Sequence, residues 1–474
     1  MRSVVVIGAG ASGTLLAARL LLHPASDGLL VHLIERRPKV GRGVAYSTGS
    51  EGHLLNVPAL NMSAFPEDLD HFSGWLRSGP MPGARPETFA PRRLYGDYLE
   101  GVLEDAALAS GGTLKRVRGE AVRLEVSEER VRVTLADGRR LHAARAVLAL
   151  GNFPPRNPPL GDPFFHRSPR YVADAWAPGA LEAVPSGAPV LLIGTSLTAI
   201  DVAIGLEERG HADRIYAVSR RGLVPNPYRP DVISPPYPRF ISPRDPEAAS
   251  ILGLFRRVRE ESECAARRGR DWHGVVEALR PVVQGLWSSL PENERRRFLR
   301  HVQPYWEVHR HRIAPEVGER VRAMREEGRL VVMAGRVRAC REAGDGVEVG
   351  LSLRRGGART LRVGCVINCT APETDPRRVR HPLVTGLLAG GLARPGPLAL
   401  GLDCGEEGEL LDARGRPSRR LYTIGPLRKG RLWETIAVPE IREQAARLAD
   451  VLLREDPVQR SAARLLPGLR KGGG

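Results

Sequence analysis

Lysine is nearly absent from this chain: of 71 basic residues only Lys39, Lys115, Lys429 and Lys471 are lysine, and the rest are arginine. Cysteine is scarce, with five in 474 residues at positions 264, 340, 365, 369 and 404, and no two form a Cys-x-x-Cys pair. Cys365 and Cys369 fall in one apparent strand, about 13 Å apart at ~3.3 Å per residue. A disulfide needs Cα atoms within about 7 Å. A thiol–disulfide relay through this pair is excluded, and the odd count points to a reducing compartment, the cytoplasm. No apolar run is long enough to cross a bilayer. His309 and His311, two residues apart on a predicted helix, point to different faces, and no cysteine or carboxylate set completes four ligands, so no metal site is expected.

What is present is an ordinary globular composition with a strong positive bias. The hydrophobic fraction of 42% can fill sizeable cores, and the length calls for two or three domains. The formal charge of +17 is spread along the chain, without a dense basic tail or basic–aromatic stripe. It reads as a surface bias rather than a nucleic-acid or membrane face. Dinucleotide phosphates and an acidic substrate both suit arginine. Arg2, residues 4–7 and residues 15–22 have the outline of a secretory leader. Gly8, Gly10 and Gly13 at regular offsets, with Arg19 near the end, argue instead for a folded turn.

The hydrophobic pattern predicts strand 4–7, a glycine turn, a helix to about 22 and strand 29–34, half of a doubly wound sheet. Helices are predicted over 69–77 and 94–108, a meander over 121–126 and 130–135 closed by Asp137 and Gly138, and a buried strand over 146–150. After a proline-rich connector, 154–163, the pattern repeats: strand 190–193, turn, helix, strand 214–218. Strands resume over 330–333, 347–353 and 363–368. The expected fold is α/β, two Rossmann-like dinucleotide-binding domains with a helical insertion. Its expected division is 1–160 for the first part of an FAD domain, 186–355 for an NAD(P) domain with the insertion at about 225–325, 356–458 for the return to the FAD domain, and 459–474 for a tail.

Two motifs carry the chemistry. Gly8-Ala9-Gly10-Ala11-Ser12-Gly13 follows a strand and opens a helix. Gly8 permits the tight turn, Gly10 lets backbone approach a pyrophosphate, and Gly13 allows close helix–strand packing. Glu35 ends the next strand, where a ribose hydroxyl needs an acceptor and a 2′-phosphate does not fit, so Gly8, Gly10, Ser12, Gly13 and Glu35 suit FAD or NAD; a second fingerprint in the same chain points to a flavin reduced by a nicotinamide, and so to FAD here. Gly194-Thr195-Ser196-Leu197-Thr198-Ala199 is a second, degraded fingerprint, with Ser196 and Ala199 in place of glycines. The strand beyond it ends in Ser219, Arg220, Arg221 and Gly222, groups that suit a 2′-phosphate. Gly194, Ser196, Leu197, Arg220 and Arg221 are thus expected to hold NADPH. Residues 421–425 read as a further strand, ending at Gly425 before Trp433, Glu434 and a last helix from about Pro439; in the two-dinucleotide flavoproteins that this order resembles, such a strand returns to the FAD domain, which implies Gly425 at the cofactor.

Several stretches resemble the bacterial family of FAD/NAD(P)-binding proteins, flavoproteins with two dinucleotide sites. They are Gly43-Val44-Ala45-Tyr46-Ser47, His53-Leu54-Leu55-Asn56-Val57-Pro58, Met62-Ser63, Pro91-Arg92-Arg93-Leu94-Tyr95-Gly96, Ser219 to Gly222, Asn368-Cys369-Thr370 and Trp433-Glu434. Ala149-Leu150-Gly151-Asn152 is similar to the second FAD-contact strand of that class, which adds Gly151. Pro426 departs from it, standing where an aspartate is usual. Asn61 to Phe65, Asp68-Leu69 and the run from Pro91 to Tyr98 are distantly similar to the flavin side of amine N-hydroxylating flavin monooxygenases. The resemblance implies an NAD(P)H-dependent FAD oxidoreductase that oxygenates a small biosynthetic substrate with molecular oxygen. Asn56, Met62 and Arg310 are its candidate catalytic residues, Asn56 is also expected to bind the cofactor, and Arg300, Arg310 and Arg312 of the insertion are expected to clamp an anionic amino acid. A flavin reductase or dehydrogenase without oxygenation, and a non-catalytic dinucleotide sensor, remain as alternatives.

Overall fold

The structure, a computed structural model, describes residues 2–229 and 236–454; the expected tail at 459–474 lies outside the described residues. Two sheets organise the chain. The first runs in the order Glu409–Leu411, Pro417–Thr423, Arg145–Leu148, Ser3–Ile7, Leu30–Glu35, Thr113–Arg118. Its strands are parallel except at the Glu409–Leu411 edge. Val4 to Ile7 are all buried, because helices and a meander cover both faces, which is why these strands read as continuous apolar runs. Helix Ala11–Leu22 packs against helices Arg92–Ala109 and Val438–Leu453 on one face. Leu15, Leu16, Leu20 and Leu21 are fully buried there, each worth roughly 1.5–3 kcal/mol.

The second sheet runs Ala358–Val363, Gly346–Leu353, Leu330–Ala343, Ile215–Ser219, Val190–Ile193, Cys365–Asn368, Tyr171–Val172. It repeats the first arrangement: Val190–Ile193 lies between two parallel neighbours, as Ser3–Ile7 does. Three strands of this sheet, Tyr171–Val172, Ala358–Val363 and Cys365–Asn368, lie outside the expected 186–355 span. Ala358–Val363 closes a hairpin on Gly346–Leu353, and Cys365–Asn368 is the parallel neighbour of the fingerprint strand. A ribbon of Phe153–Pro155 and Pro372–Glu373 carries the chain out of the first domain and back. Thr113–Arg118 has no apolar alternation in the sequence, because it is a solvent-facing edge strand rich in basic residues.

The insertion is a set of helices: Ile251–Arg267, Trp272–Ala278, Val283–Ser289, Glu292–Arg297, Gln303–Arg310 and Pro315–Glu326, with a π turn at Phe298–Val302. It grips the return segment of the first domain. Trp287 Nε1 donates to Gly430 O at 3.0 Å, and Gln284 Nε2 to Glu434 O at 2.8 Å. Trp287, Phe298 and Trp433 pack their rings together, with centroids 4.9–5.8 Å apart. At a second contact between the domains, Arg92 donates to both carboxylate oxygens of Asp201, at 2.7 and 3.0 Å. A ring nitrogen of His53 meets Asp201 O at 2.8 Å beside it.

Candidate functional site

The first fingerprint borders a cavity of about 1050 Å³, at the upper end of the roughly 300–1,000 Å³ range of small-molecule and cofactor pockets. Gly8, Gly10, Ser12, Glu35 and Gly151 line it. Each glycine has a physical reason. Gly8 has φ +102°, and a Cβ there would lie 2.4 Å from Ala149 O. A Cβ at Gly13 would lie 1.9 Å from Gly8 O, so helix and turn touch only because no side chain intervenes. Gly10 differs: its φ of −70° suits any residue, and its nearest neighbour is Gly43 Cα at 3.4 Å. Its missing side chain keeps the cavity floor open. Gly10, at the N-cap of helix Ala11–Leu22, has no side chain to cap it, which leaves first-turn amides to an anion.

Glu35 stands where the sequence reading puts it and also holds the turn in shape. Its Oε2 accepts the Ala9 N–H at 2.8 Å and its Oε1 the Arg37 N–H at 2.9 Å. Each oxygen keeps a second lone pair for a ribose hydroxyl. Gly425 is not among the lining residues but abuts the fingerprint at Ser12: its φ is +77°, its N–H donates to Gln444 Oε1 at 3.1 Å, and a Cβ would sit 2.6 Å from Ser12 Oγ. Its neighbour Pro426 lines the cavity, as do Ile436 and Ile441 of the return segment. Tyr46 lines it too, and burial pushes its phenol up to about 12, against the pull of Arg92.

Most of the basic lining is not legible in the sequence. Among the described residues, seven arginines line this cavity, Arg36, Arg37, Arg42, Arg156, Arg377, Arg378 and Arg380; of these Arg36 pairs with Glu120, Arg42 with Asp97, and Arg377 and Arg378 with Asp375. Arg36 and Arg37 follow Glu35 directly and were legible as neighbours of the motif. The other five reach the cavity only through the fold. Asn56 and Met62 are not among the lining residues. Asn56 is half-buried between core residues Leu55 and Val57, and Met62 is packed in the first domain's core.

The second fingerprint copies the first. Gly194 has φ +130°, and a Cβ would meet Cys369 O at 2.4 Å, as Gly8 meets Ala149. Ser196 precedes helix Leu197–Glu208 without capping it, so the first-turn amides beginning at Leu197 are again left open. Ala199 takes the place of Gly13, and its methyl group is buried. The Thr195 and Ser219 hydroxyls bond at 2.8 Å across the two strand ends. Arg220 is exposed, while Arg221 is held by the insertion, donating to Tyr305 Oη at 3.1 Å.

The insertion arginines are not an open clamp. Arg310 is 2% exposed and pairs with Glu440 at 3.6 Å. Burial alone would lower its pKa, but Glu434, Glu277 and Glu440 raise it above the ordinary value. Arg312 is equally buried, paired with Glu277 and lying 3.8 Å from the Tyr228 ring centroid. Arg280 binds Glu440 through two bonds, at 2.9 and 3.2 Å. Glu277, Glu434 and Glu440 neutralise these arginines, by contacts between the insertion helices and the return segment that no local pattern in the sequence announces. Of the three arginines expected to meet an anionic substrate, Arg300 is exposed. His309 bonds Tyr305 O through Nδ1 and His311 pairs with Glu307 at 3.4 Å; among the described residues no group of three or more His, Cys, Asp or Glu gathers as a metal-ligand set.

All five cysteines are free, and burial pushes the Cys340 thiol up to about 12 and the Cys365 thiol to about 11. Among the described residues no helix is long and apolar enough to cross a membrane.

Residues 5–153 match a family model described as FAD-NAD(P)-binding, a span that covers the first domain up to the connecting ribbon. No curated protein sequence matches the chain. Among solved structures, ornithine hydroxylase from Pseudomonas aeruginosa is 18% identical with a TM-score of 0.62, over 96% of this chain and 99% of that one. L-lysine 6-monooxygenase from Pseudomonas syringae is 17% identical with a TM-score of 0.65, over 96% and 100%. Ornithine N-hydroxylase from Kutzneria sp. 744 is 15% identical with a TM-score of 0.61, over 96% and 99%. The chain thus has, over nearly its whole length, the α/β fold of these structures: two dinucleotide-binding-type domains joined by a short ribbon.

Proposed function

We propose that this protein is a cytoplasmic NADPH-dependent FAD monooxygenase that oxygenates the nitrogen of a small amine-bearing substrate. The observation that carries the reading is the pairing in one chain of an arginine-lined cavity at an intact glycine fingerprint with a second fingerprint that repeats its geometry. Bound FAD would accept hydride from NADPH and make molecular oxygen reactive toward a nucleophilic atom.

The residues present suit FAD. The open floor at Gly10 and the uncapped helix suit a pyrophosphate, and an arginine such as Arg37 beside the fingerprint turn suits its charge. Glu35 suits the adenosine ribose. The aliphatic wall at Ile436 and Ile441 and the neutral phenol of Tyr46 would exclude water from the reacting end. Gly194, Ser196 and Leu197 would receive the NADPH pyrophosphate, and Arg220 and Arg221 its 2′-phosphate. The free cysteines, buried except for the half-buried Cys264, speak against electron transfer through a thiol relay. The structural likeness to ornithine and lysine hydroxylases supports a substrate that bears an amine. A carboxylate on that substrate would fall to Arg300, since Arg310 and Arg312 are already neutralised.

The altered second fingerprint, with Ser196 and Ala199 for two glycines, favours a dinucleotide sensor as the second reading. Purified protein should be yellow, oxidise NADPH, and convert a responsive amine to a product heavier by one oxygen atom. NADPH oxidation that no amine or amino acid stimulates, with every electron pair recovered as hydrogen peroxide, would sink the monooxygenase reading. No NADPH oxidation at all would leave the sensor.

A further inference from the structure

Strand Ile215–Ser219 lies beside the second fingerprint strand with Ile193 opposite Val218, and the Gly194 N–H donates to Val218 O at 2.8 Å. That register sets Ser219, Arg220 and Arg221 next to the Gly194 turn. Gly222, at φ +62°, turns the chain against Ala334, where a Cβ would come within 3.0 Å of the backbone. The Arg221 side chain is then held by residues some 80 positions away. Its Nη1 donates to the Tyr305 hydroxyl at 3.1 Å and its Nη2 to the His301 carbonyl at 3.4 Å. Its guanidinium carbon is 4.9 Å from the Tyr305 ring centroid.

Both partners come from the insertion. His301 lies in the π turn Phe298–Val302 and Tyr305 in helix Gln303–Arg310. Single π turns inside helices occur disproportionately at functional sites. Tyr305 is 38% exposed, so its ring is not there to fill a core. The helix that carries it is anchored by its neighbours. Trp306 Nε1 donates to Glu434 Oε1 at 3.0 Å, and Arg310 pairs with Glu440. The aromatic ring that meets Arg221 is therefore mounted on a fixed support.

We propose that Tyr305 is a positioning residue for coenzyme choice: it holds Arg221 ready for the phosphate monoester on the adenosine ribose of the coenzyme. This rests on the reading of Arg220 and Arg221 as partners of that phosphate. Guanidinium has five N–H donors; the insertion uses two and leaves three for a phosphate. A free arginine loses much rotamer freedom on engaging a ligand, and Tyr305 places that loss in folding instead of binding.

The test is isothermal titration of NADP⁺ and of NAD⁺ into the FAD-loaded protein, for the wild type, Arg221→Ala, Tyr305→Ala, Tyr305→Phe and the double alanine variant. Flavin content reports folding in each. Arg221→Ala should weaken NADP⁺ at least tenfold and leave NAD⁺ unchanged. Tyr305→Ala should weaken NADP⁺ about fivefold with NAD⁺ again unchanged. Tyr305→Phe, which keeps the ring and loses the hydroxyl, should fall between. The double variant should bind NADP⁺ no worse than Arg221→Ala, because a positioning residue has nothing left to position. If Arg221→Ala leaves the NADP⁺/NAD⁺ ratio unmoved, the phosphate reading fails and the proposal falls with it. If Arg221→Ala moves the ratio but Tyr305→Ala and Tyr305→Phe do not, the proposal alone is overturned. It is overturned too if Tyr305→Ala weakens both coenzymes equally, or if its full loss adds to that of Arg221→Ala.

Discussion

Changing Asp201 to Asn tests how the two domains are held together. Arg92 and Asp201 form a bidentate pair whose side chains are 12% and 10% exposed, at bond lengths of 2.7 and 3.0 Å. Asparagine keeps the volume but offers one acceptor, and turns its amide N–H groups toward the second guanidinium N–H. Arg92 would be left buried with its charge uncompensated. Breaking such a pair costs about 3 kcal/mol, which corresponds to a fall of roughly 5–10 °C in Tm for a cooperative unit of domain size. Removing both charges with Arg92→Met and Asp201→Leu should recover most of this. The remaining loss should be about 1 kcal/mol, because the Arg92 Nε bond to Leu54 O, at 2.9 Å, goes as well. The assay is thermal unfolding of FAD-loaded protein, followed by flavin release and by circular dichroism, for the two single variants and the pair. Equal Tm values for wild type and Asp201→Asn, or a double variant less stable than both singles, would refute the idea that this pair is a buried, mutually dependent link.

Gly10→Val should fold and give a normal circular dichroism spectrum but retain little FAD, because the backbone tolerates a side chain that would enter the cavity; full flavin occupancy would remove Gly10 from the phosphate site. Gly13→Ala should instead lower Tm or abolish soluble expression, since its Cβ would strike Gly8 O, and a stable variant would contradict the contact. Arg220→Ala should raise the NADPH KM by about tenfold or more, a loss of roughly 1.5–3 kcal/mol, with NADH kinetics unchanged; an equal change for both coenzymes would count against a phosphate role. Burial acts to raise the Glu434 pKa, but His311, Arg310, the Trp306 bond and Arg280 together hold it below the ordinary 4.5. A depressed carboxylate contributes stability that is full above its unfolded value and lost as pH falls through the folded one. Glu434→Gln should therefore destabilise the protein at pH 7 by more than at pH 3, read from tryptophan fluorescence in acid and urea titrations; parallel losses at both pH values would contradict the assignment.

The sequence by itself determined the two glycine turns, their supporting strands and Glu35. The positive φ at Gly8 and Gly194 and the helix start pressed onto its own turn at Gly13 are local needs, settled within a dozen residues of chain, and Glu35 follows from the next strand in the same half-sheet. It also separated the two halves, because buried parallel strands carry unbroken apolar runs. The membership of Ala358–Val363 and Cys365–Asn368 was decided by pairing, since a short apolar strand reads alike in either sheet. Tertiary structure alone decided what each arginine does. Arg377, Arg378 and Arg380 line the cavity beside a turn more than 350 residues away in sequence. Arg310 and Arg312 look like the same kind of residue in the sequence, yet Glu440 and Glu277 bury and neutralise them. A guanidinium has no local conformational signature, so its role follows from which carboxylates and which cavity the finished fold brings within a few ångströms of it.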